Sequence, residues 1–213
     1  AFTPDPDVFS VTRFNAALIK ETLEARSYLH KGLKITFEDK TTGEEHVFHH
    51  EDGISEYLRR LTEARRAAPL LGFIFYFENK DEPVMEAAIL WTDERNEYIQ
   101  SYTNGIRTHS GGTHEQGLRA GVVKAIRNYM ETHAIAPKGV TTTAEDIREG
   151  LCAILSTYVL DPQFQGQTKD RLNNPEMTSQ VASAVAPALE RHLNENRSIG
   201  DAIVARIIMA ARA

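Results

Sequence analysis

The sequence predicts an α+β fold, and three observations carry that expectation. Strand-like and helix-like runs both occur, but they do not follow the strict βαβ alternation of a parallel α/β protein. Leu151 to Leu160 is almost wholly apolar and is bounded by Gly150 and by Asp161-Pro162, which favours a buried strand over a helix. Two helical patterns then run to the end of the chain.

The elements follow in order. Thr12 to Leu29 sets Leu18, Ile19, Leu23 and Leu29 at helical spacing among charged residues. Leu33 to Phe37 alternates apolar with polar side chains, Thr41-Thr42-Gly43 supplies a turn and Val47-Phe48 opens the return strand, so a hairpin is expected. Ile54 to Ala67 reads as a short basic helix. Gly72 to Phe77, Met85 to Trp91 and Tyr98 to Thr103 are rich in aromatic and aliphatic residues and are expected as central strands. After a loop from Asn104 to Gly112, Thr113 is the expected N-cap of a long helix. Leu118, Val122, Ala125 and Tyr129 form its apolar stripe. Thr141-Thr142-Thr143 offers caps for a short turn through Glu145, Asp146 and Arg148, which Gly150 ends. Beyond a loop from Gln163 to Asn174, Pro187 is expected to kink or divide the first of two closing helices.

Composition limits the function classes. Hydrophobic residues make up 41% and charged residues 25% of the 213, close to globular usage, which argues against disorder and fibrous repeats. A single domain, 1–213, is expected, with a core of about 1–174 and C-terminal helices at about 175–213. The single cysteine, Cys152, excludes an internal disulfide and reads as a buried small hydrophobe in a cytoplasmic protein. No apolar run approaches the roughly 20 residues of a membrane span, and the acidic start lacks a secretory pattern. A net charge of -6 argues against a nucleic-acid grip over the whole surface and leaves local basic patches. An alanine at position 1 and a helical pattern continuing to Ala213 suggest a piece of a longer chain.

Two segments carry candidate chemistry. DPQFQGQTKDRLNN, Asp161 to Asn174, attaches a polar loop to the end of the buried strand. There Lys169 offers a point charge for a terminal phosphate, Gln167 a neutral donor, and Gly166 removes bulk so that both can approach. Taken alone the motif is a weak signal, since a loop of this composition is usually just solvated. SYTNGIRTHSGGTHEQGLRAG, Ser101 to Gly121, places Gly111-Gly112-Thr113 before a helix, either as a backbone anion cradle or as a plain loop with a cap. On that helix Arg119, Lys124 and Arg127 lie away from the apolar stripe, as a DNA-phosphate contact or as a solvated basic face. His49-His50-Glu51, and His109 with His114, lack the spacing of a zinc site, so no metal ligands are assigned. No catalytic triad order, Walker P-loop or dinucleotide fingerprint is present, which argues against a self-contained catalytic site.

Together these segments resemble the ATPase subunits of type II DNA topoisomerases, gyrase B and its topoisomerase IV counterpart. EDIREGL, the opening PDPDVF and the hairpin GLKITFEDKTTGEEHVFHHEDG are also similar, so the resemblance covers the whole chain. It implies a ribosomal-protein-S-five domain 2-like transducer fold with a left-handed βαβ unit. That transducer couples ATP binding and hydrolysis in an adjacent Bergerat-type domain to clamp closure and DNA strand passage. By position, Gln167 and Lys169 would contact the ATP γ-phosphate, with Lys169 the catalytic contributor, and Arg119 would line a DNA-holding cavity, joined by Lys124 and Arg127. ATP and magnesium would be bound mainly by the ATPase domain, which is absent here along with the cleavage domain, and the isolated piece would be inactive. The implied partners are double-stranded DNA, those two domains, a gyrase A-type subunit and a second copy of the intact subunit. A non-enzymatic DNA clamp or decoy is the alternative. The loop IRTHSGG and Pro187 depart from the family pattern.

Overall fold

The computed structural model describes residues 2–135, 137 and 139–212; Ala1 and Ala213, the end points of the expected domain, lie outside the described residues. The chain divides into two compact units, Ala1–Tyr57 and Leu58–Ala213.

In the first unit, α1 (Ala16–Leu29) starts later than Thr12 because Asn15 caps it, its side-chain oxygen accepting from the Leu18 N–H at 3.2 Å. β1 (Lys34–Asp39) and β2 (Glu44–His49) form the expected antiparallel hairpin, with Lys34 opposite His49. Tyr28 stacks against the rings of His50 and Tyr57, with centroids 3.6 and 4.5 Å away. The start of α2 (Ile54–Arg65) closes this unit. Phe2, Val8, Val11, Phe14 and Leu18 remain exposed.

The second unit contains, in chain order, β3 (Phe75–Asn79), β4 (Val84–Trp91), β5 (Tyr98–Thr103), β6 (Ile106–Arg107), α3 (Thr113–Thr132), α4 (Ala144–Arg148), β7 (Leu151–Tyr158), β8 (Phe164–Gln165), β9 (Arg171–Leu172), α5 (Glu176–Glu195) and α6 (Arg197–Ala210). Five strands pair in the order β3, β4, β7, β5, β6. The almost wholly apolar β7 takes the centre, buried from Leu151 to Thr157. It runs antiparallel to β4 and parallel to β5, so that β5, α3 and β7 make a βαβ crossover inside a mixed sheet. The fold is therefore α+β, as expected. Two expectations need correction here: β3 is an edge strand rather than a central one, and the loop from Asn104 to Gly112 contains β6.

Helices α3, α5 and α6 supply the layer that packs with the sheet face bearing Met85, Ala87, Ile89, Leu151 and Leu155. α3 and α5 approach closely at two glycines. A β-carbon at Gly117 would lie 2.7 Å from the Thr178 carbonyl oxygen, and one at Gly121 would lie 3.1 Å from Val185 Cβ. Pro187 does not divide α5: the helix runs unbroken from Glu176 to Glu195. Val181 and Val185 before the proline, and Leu189 and Leu193 after it, are buried in one core, which holds both halves in line while Pro187 faces solvent. Among the described residues no helix is long and apolar enough to cross a membrane.

Candidate functional site

The segment from Gln163 to Asn174, expected as a loop, contains a short hairpin, in which Phe164 faces Leu172 and Gln165 faces Arg171. Gly166, Gln167, Thr168, Lys169 and Asp170 form its turn. Gly166 has φ +75° and Lys169 has φ +60°, so a side-chain-bearing residue occupies the left-handed region. Such a conformation costs on the order of 1 kcal/mol or more and persists where surrounding bonds enforce it. Here the Thr168 hydroxyl donates to the Asp170 carboxylate within the turn. Gln167, Thr168 and Lys169 are exposed, and the Lys169 ammonium lies 5.9 Å from the centre of the Phe164 ring. The tip thus presents one cation and one amide to whatever lies opposite.

The base of the hairpin is fixed by Asn174, which is buried. Its side-chain oxygen accepts from the Gln163 N–H at 2.7 Å, and its amide nitrogen donates to the Asp161 carbonyl at 3.1 Å and to Glu176 at 3.0 Å. That amide donation also holds the Glu176 carboxyl below its ordinary range. Sequence reading missed Asn174; its place just before Pro175, where α5 begins, was the available signal.

The structure brings the two candidate segments together along one side of the hairpin. The Leu172 N–H donates to the Gly111 carbonyl at 3.1 Å, the Ser110 N–H donates to the Asp170 carbonyl at 2.9 Å, and Arg171 Nη1 donates to the Ser110 carbonyl at 3.1 Å. Gly112 forms a parallel bridge with Leu172. Of the two readings of Gly111-Gly112-Thr113, the anion cradle is partly committed elsewhere, since the Gly111 N–H donates to the Thr108 carbonyl and the loop lies along β9. Thr113 is not the cap either. Gly112 holds that position at φ 140°, with no side-chain cap bond, because the space a side chain needs is filled by the backbone of Leu172.

Behind this loop lies a polar cluster at the start of α3. The Ser101 hydroxyl donates to Glu115 Oε1 at 2.6 Å and meets the Thr108 hydroxyl at 2.6 Å, which in turn meets His114 Nε2 at 3.0 Å. Glu115 Oε2 pairs with Arg119 Nη2 at 3.1 Å, Arg119 Nε donates to Glu97 at 2.8 Å, and Glu97 also receives Arg148 at 3.3 Å. Glu115 stands in the first turn of α3, where the helix dipole favours a carboxylate. Burial, and secondarily the charge of Arg119, pushes His114 down to about 4, so this imidazole is neutral at neutral pH.

The remaining candidates fall in separate places. Arg119 is partly buried between two carboxylates, whereas Lys124 and Arg127 are exposed one turn apart on α3. Cys152 is buried and its thiol is pushed up to about 12 by desolvation, which suits a packed small hydrophobe. His49 lies 3.5 Å from Glu51, and among the described residues no group of three or more His, Cys, Asp and Glu is arranged to hold a metal ion.

A family model described as DNA gyrase B matches residues 53–213. The DNA gyrase B protein of Archaeoglobus fulgidus is 38% identical over 212 residues, which covers 100% of this chain and 33% of that protein. The B-type subunit of DNA topoisomerase 4 from Pseudomonas aeruginosa is 39% identical over 200 residues, covering 93% of this chain and 32% of that protein. The chain thus spans about a third of the length of the curated relatives it matches. Among solved structures, the 43K ATPase domain of Thermus thermophilus gyrase B in complex with an aminocoumarin matches with a TM-score of 0.85 and 31% identity, over 98% of this chain and 56% of that one. The topoisomerase IV ATP-binding domain of Francisella tularensis, in complex with a small-molecule inhibitor, gives the same values.

Proposed function

The chain belongs to the DNA gyrase B family, and on that footing we propose that its second unit is the transducer domain of an ATP-dependent type II DNA topoisomerase. The observation that carries this reading is the hairpin tip itself: Gln167 and Lys169 are exposed, while the base of the same hairpin is tied by Asn174 and by the loop from Ser110 to Gly112. A donor pair that is rigidly mounted yet unshielded suits a ligand supplied by another domain.

The domain boundary is drawn more narrowly than the whole chain. The family model begins at residue 53, and the compact units part between Tyr57 and Leu58. Residues 2–57 are then a portion of the ATPase region. The exposed apolar side chains of Phe2, Val8, Val11, Phe14 and Leu18 support that assignment.

The residue roles are those the family resemblance implies, and side-chain chemistry suits them. Lys169 is the catalytic contributor: its ammonium neutralises charge developing on the transferred phosphoryl group, while the Gln167 amide donates to a γ-phosphate oxygen. As the family resemblance implies, ATP and Mg²⁺ are held mainly by the neighbouring ATPase domain, to which the exposed Gln167 and Lys169 add donors for phosphate. Lys124 and Arg127 offer exposed charge to DNA phosphates, and Arg119 joins them at the cavity wall. In the intact assembly the partners are double-stranded DNA, a gyrase A-type subunit and a second copy of the subunit, in the cytoplasm.

Affinity labelling tests the phosphate contact. In the full-length subunit, an ATP analogue with an amine-reactive group on its terminal phosphate is expected to modify Lys169, with protection by excess ATP. Modification confined to other lysines contradicts the assignment.

A further inference from the structure

Resting on that reading, we propose that the buried Glu115 carboxylate is the positioning group that couples the phosphate-facing hairpin to the DNA-facing Arg119. Glu115 is 7% exposed, and its two oxygens face different partners. Oε1 accepts from Ser101 on β5, and Oε2 pairs with Arg119 one helical turn further along α3. The same carboxylate lies directly beneath Gly111, where an added β-carbon would sit 2.6 Å from Oε2. The Gly111 carbonyl in turn receives the Leu172 N–H of the hairpin. Between the hairpin and the Glu115 carboxylate there is therefore only the thickness of one glycine backbone.

This packing ties three positions together. A displacement of β9 that carries Gly111 with it presses on the Glu115 carboxylate or leaves room above it. Either movement changes the alignment of Glu115 with Arg119. Arg119 is held on its other side by Glu97, which also receives Arg148. With two carboxylates around it, the Arg119 guanidinium has its charge largely compensated in this arrangement. A DNA phosphate that draws Arg119 away must break the bond to Glu115, which changes the charge beneath Gly111. The exchange is reciprocal, as linkage requires: the hairpin biases Arg119, and DNA at Arg119 biases the hairpin. Glu115 is buried and acts through Arg119.

The test uses the full-length subunit assembled with its partner subunit and measures ATP turnover with and without DNA. Glu115→Gln keeps the acceptor for Ser101 and removes the charge that holds Arg119. The ratio of DNA-stimulated to basal turnover is expected to fall about fivefold or more, within the usual range of coupling between sites. In an Arg119→Gln background the same substitution is expected to add nothing, an outcome that a general packing defect does not give. Glu97→Gln, at a more exposed position, breaks the far side of the arrangement and is expected to shift the same ratio if the Glu115 variant folds poorly. An unchanged ratio in Glu115→Gln, or an additive loss in the Arg119→Gln background, overturns the proposal. Lys169→Ala in parallel distinguishes a failure of the phosphate contact from a failure of the coupling. If it leaves basal turnover untouched, the phosphate assignment fails; if it lowers turnover while Glu115→Gln keeps full DNA stimulation, only the coupling fails.

Discussion

Gly112 and Leu172 lie backbone to backbone, so close that a methyl group on Gly112 would collide with both the amide nitrogen and the carbonyl oxygen of Leu172. The φ of 140° at Gly112 is a second reason why only glycine suits the position. Gly112→Ala is therefore expected to destabilise the fold by about 2 kcal/mol or more, combining backbone strain with displacement of the hairpin. Urea unfolding measures the loss. ATP turnover in the full-length subunit should fall as well, since the tip loses its mount.

That contact also marks the limit of what the sequence makes legible. Helical spacing of apolar residues located α1 and α3, aromatic and aliphatic richness located β4 and β5, and a continuous apolar run located β7, each to within a few positions. The polar tip at Gln167 and Lys169 was legible as donor chemistry beside a glycine. The lashing of β9 to Ser110, Gly111 and Gly112 was not, because backbone hydrogen bonds between distant segments leave no periodic trace. Asn174 and Glu115 escaped for a related reason. A buried polar side chain looks like a surface one until its partners, Asp161 and Gln163 or Ser101 and Arg119, are brought to it. Pro187 was read by local cost alone, while buried residues on both sides of it decide the path of α5.

His114 makes stability pH-dependent. The unfolded imidazole takes up a proton near 6.5, whereas the buried one does so only at about 4. The unfolded state thus binds more protons between those values, so stability is full above about pH 6.5 and falls as pH drops toward about 4. Between about pH 7 and about pH 5 this single group is expected to cost about 2 kcal/mol. Denaturant titrations at both pH values should show a smaller difference in His114→Gln than in the unaltered chain. Equal differences would place the pH sensitivity elsewhere.

Pro187 sits on the exposed side of an unbroken α5, where its ring removes one helical N–H donor. Both flanking segments are already anchored in the core. Pro187→Ala should therefore raise stability by about 1 to 3 kcal/mol by restoring that bond and relieving the crowding of the preceding turn. A rise in unfolding temperature checks this; a fall would mean that the proline supports the helix path.

If Lys169 completes an ATP site held mainly by another domain, ATP turnover by the full-length subunit must depend on that ammonium, and Lys169→Ala removes it alone. The side chain is exposed at the hairpin tip, so thermal unfolding should be unchanged while turnover falls about a hundredfold, the scale on which loss of one charge-stabilising donor acts. Turnover equal to that of the unaltered subunit, with the fold intact, would mean that Lys169 takes no part in ATP chemistry.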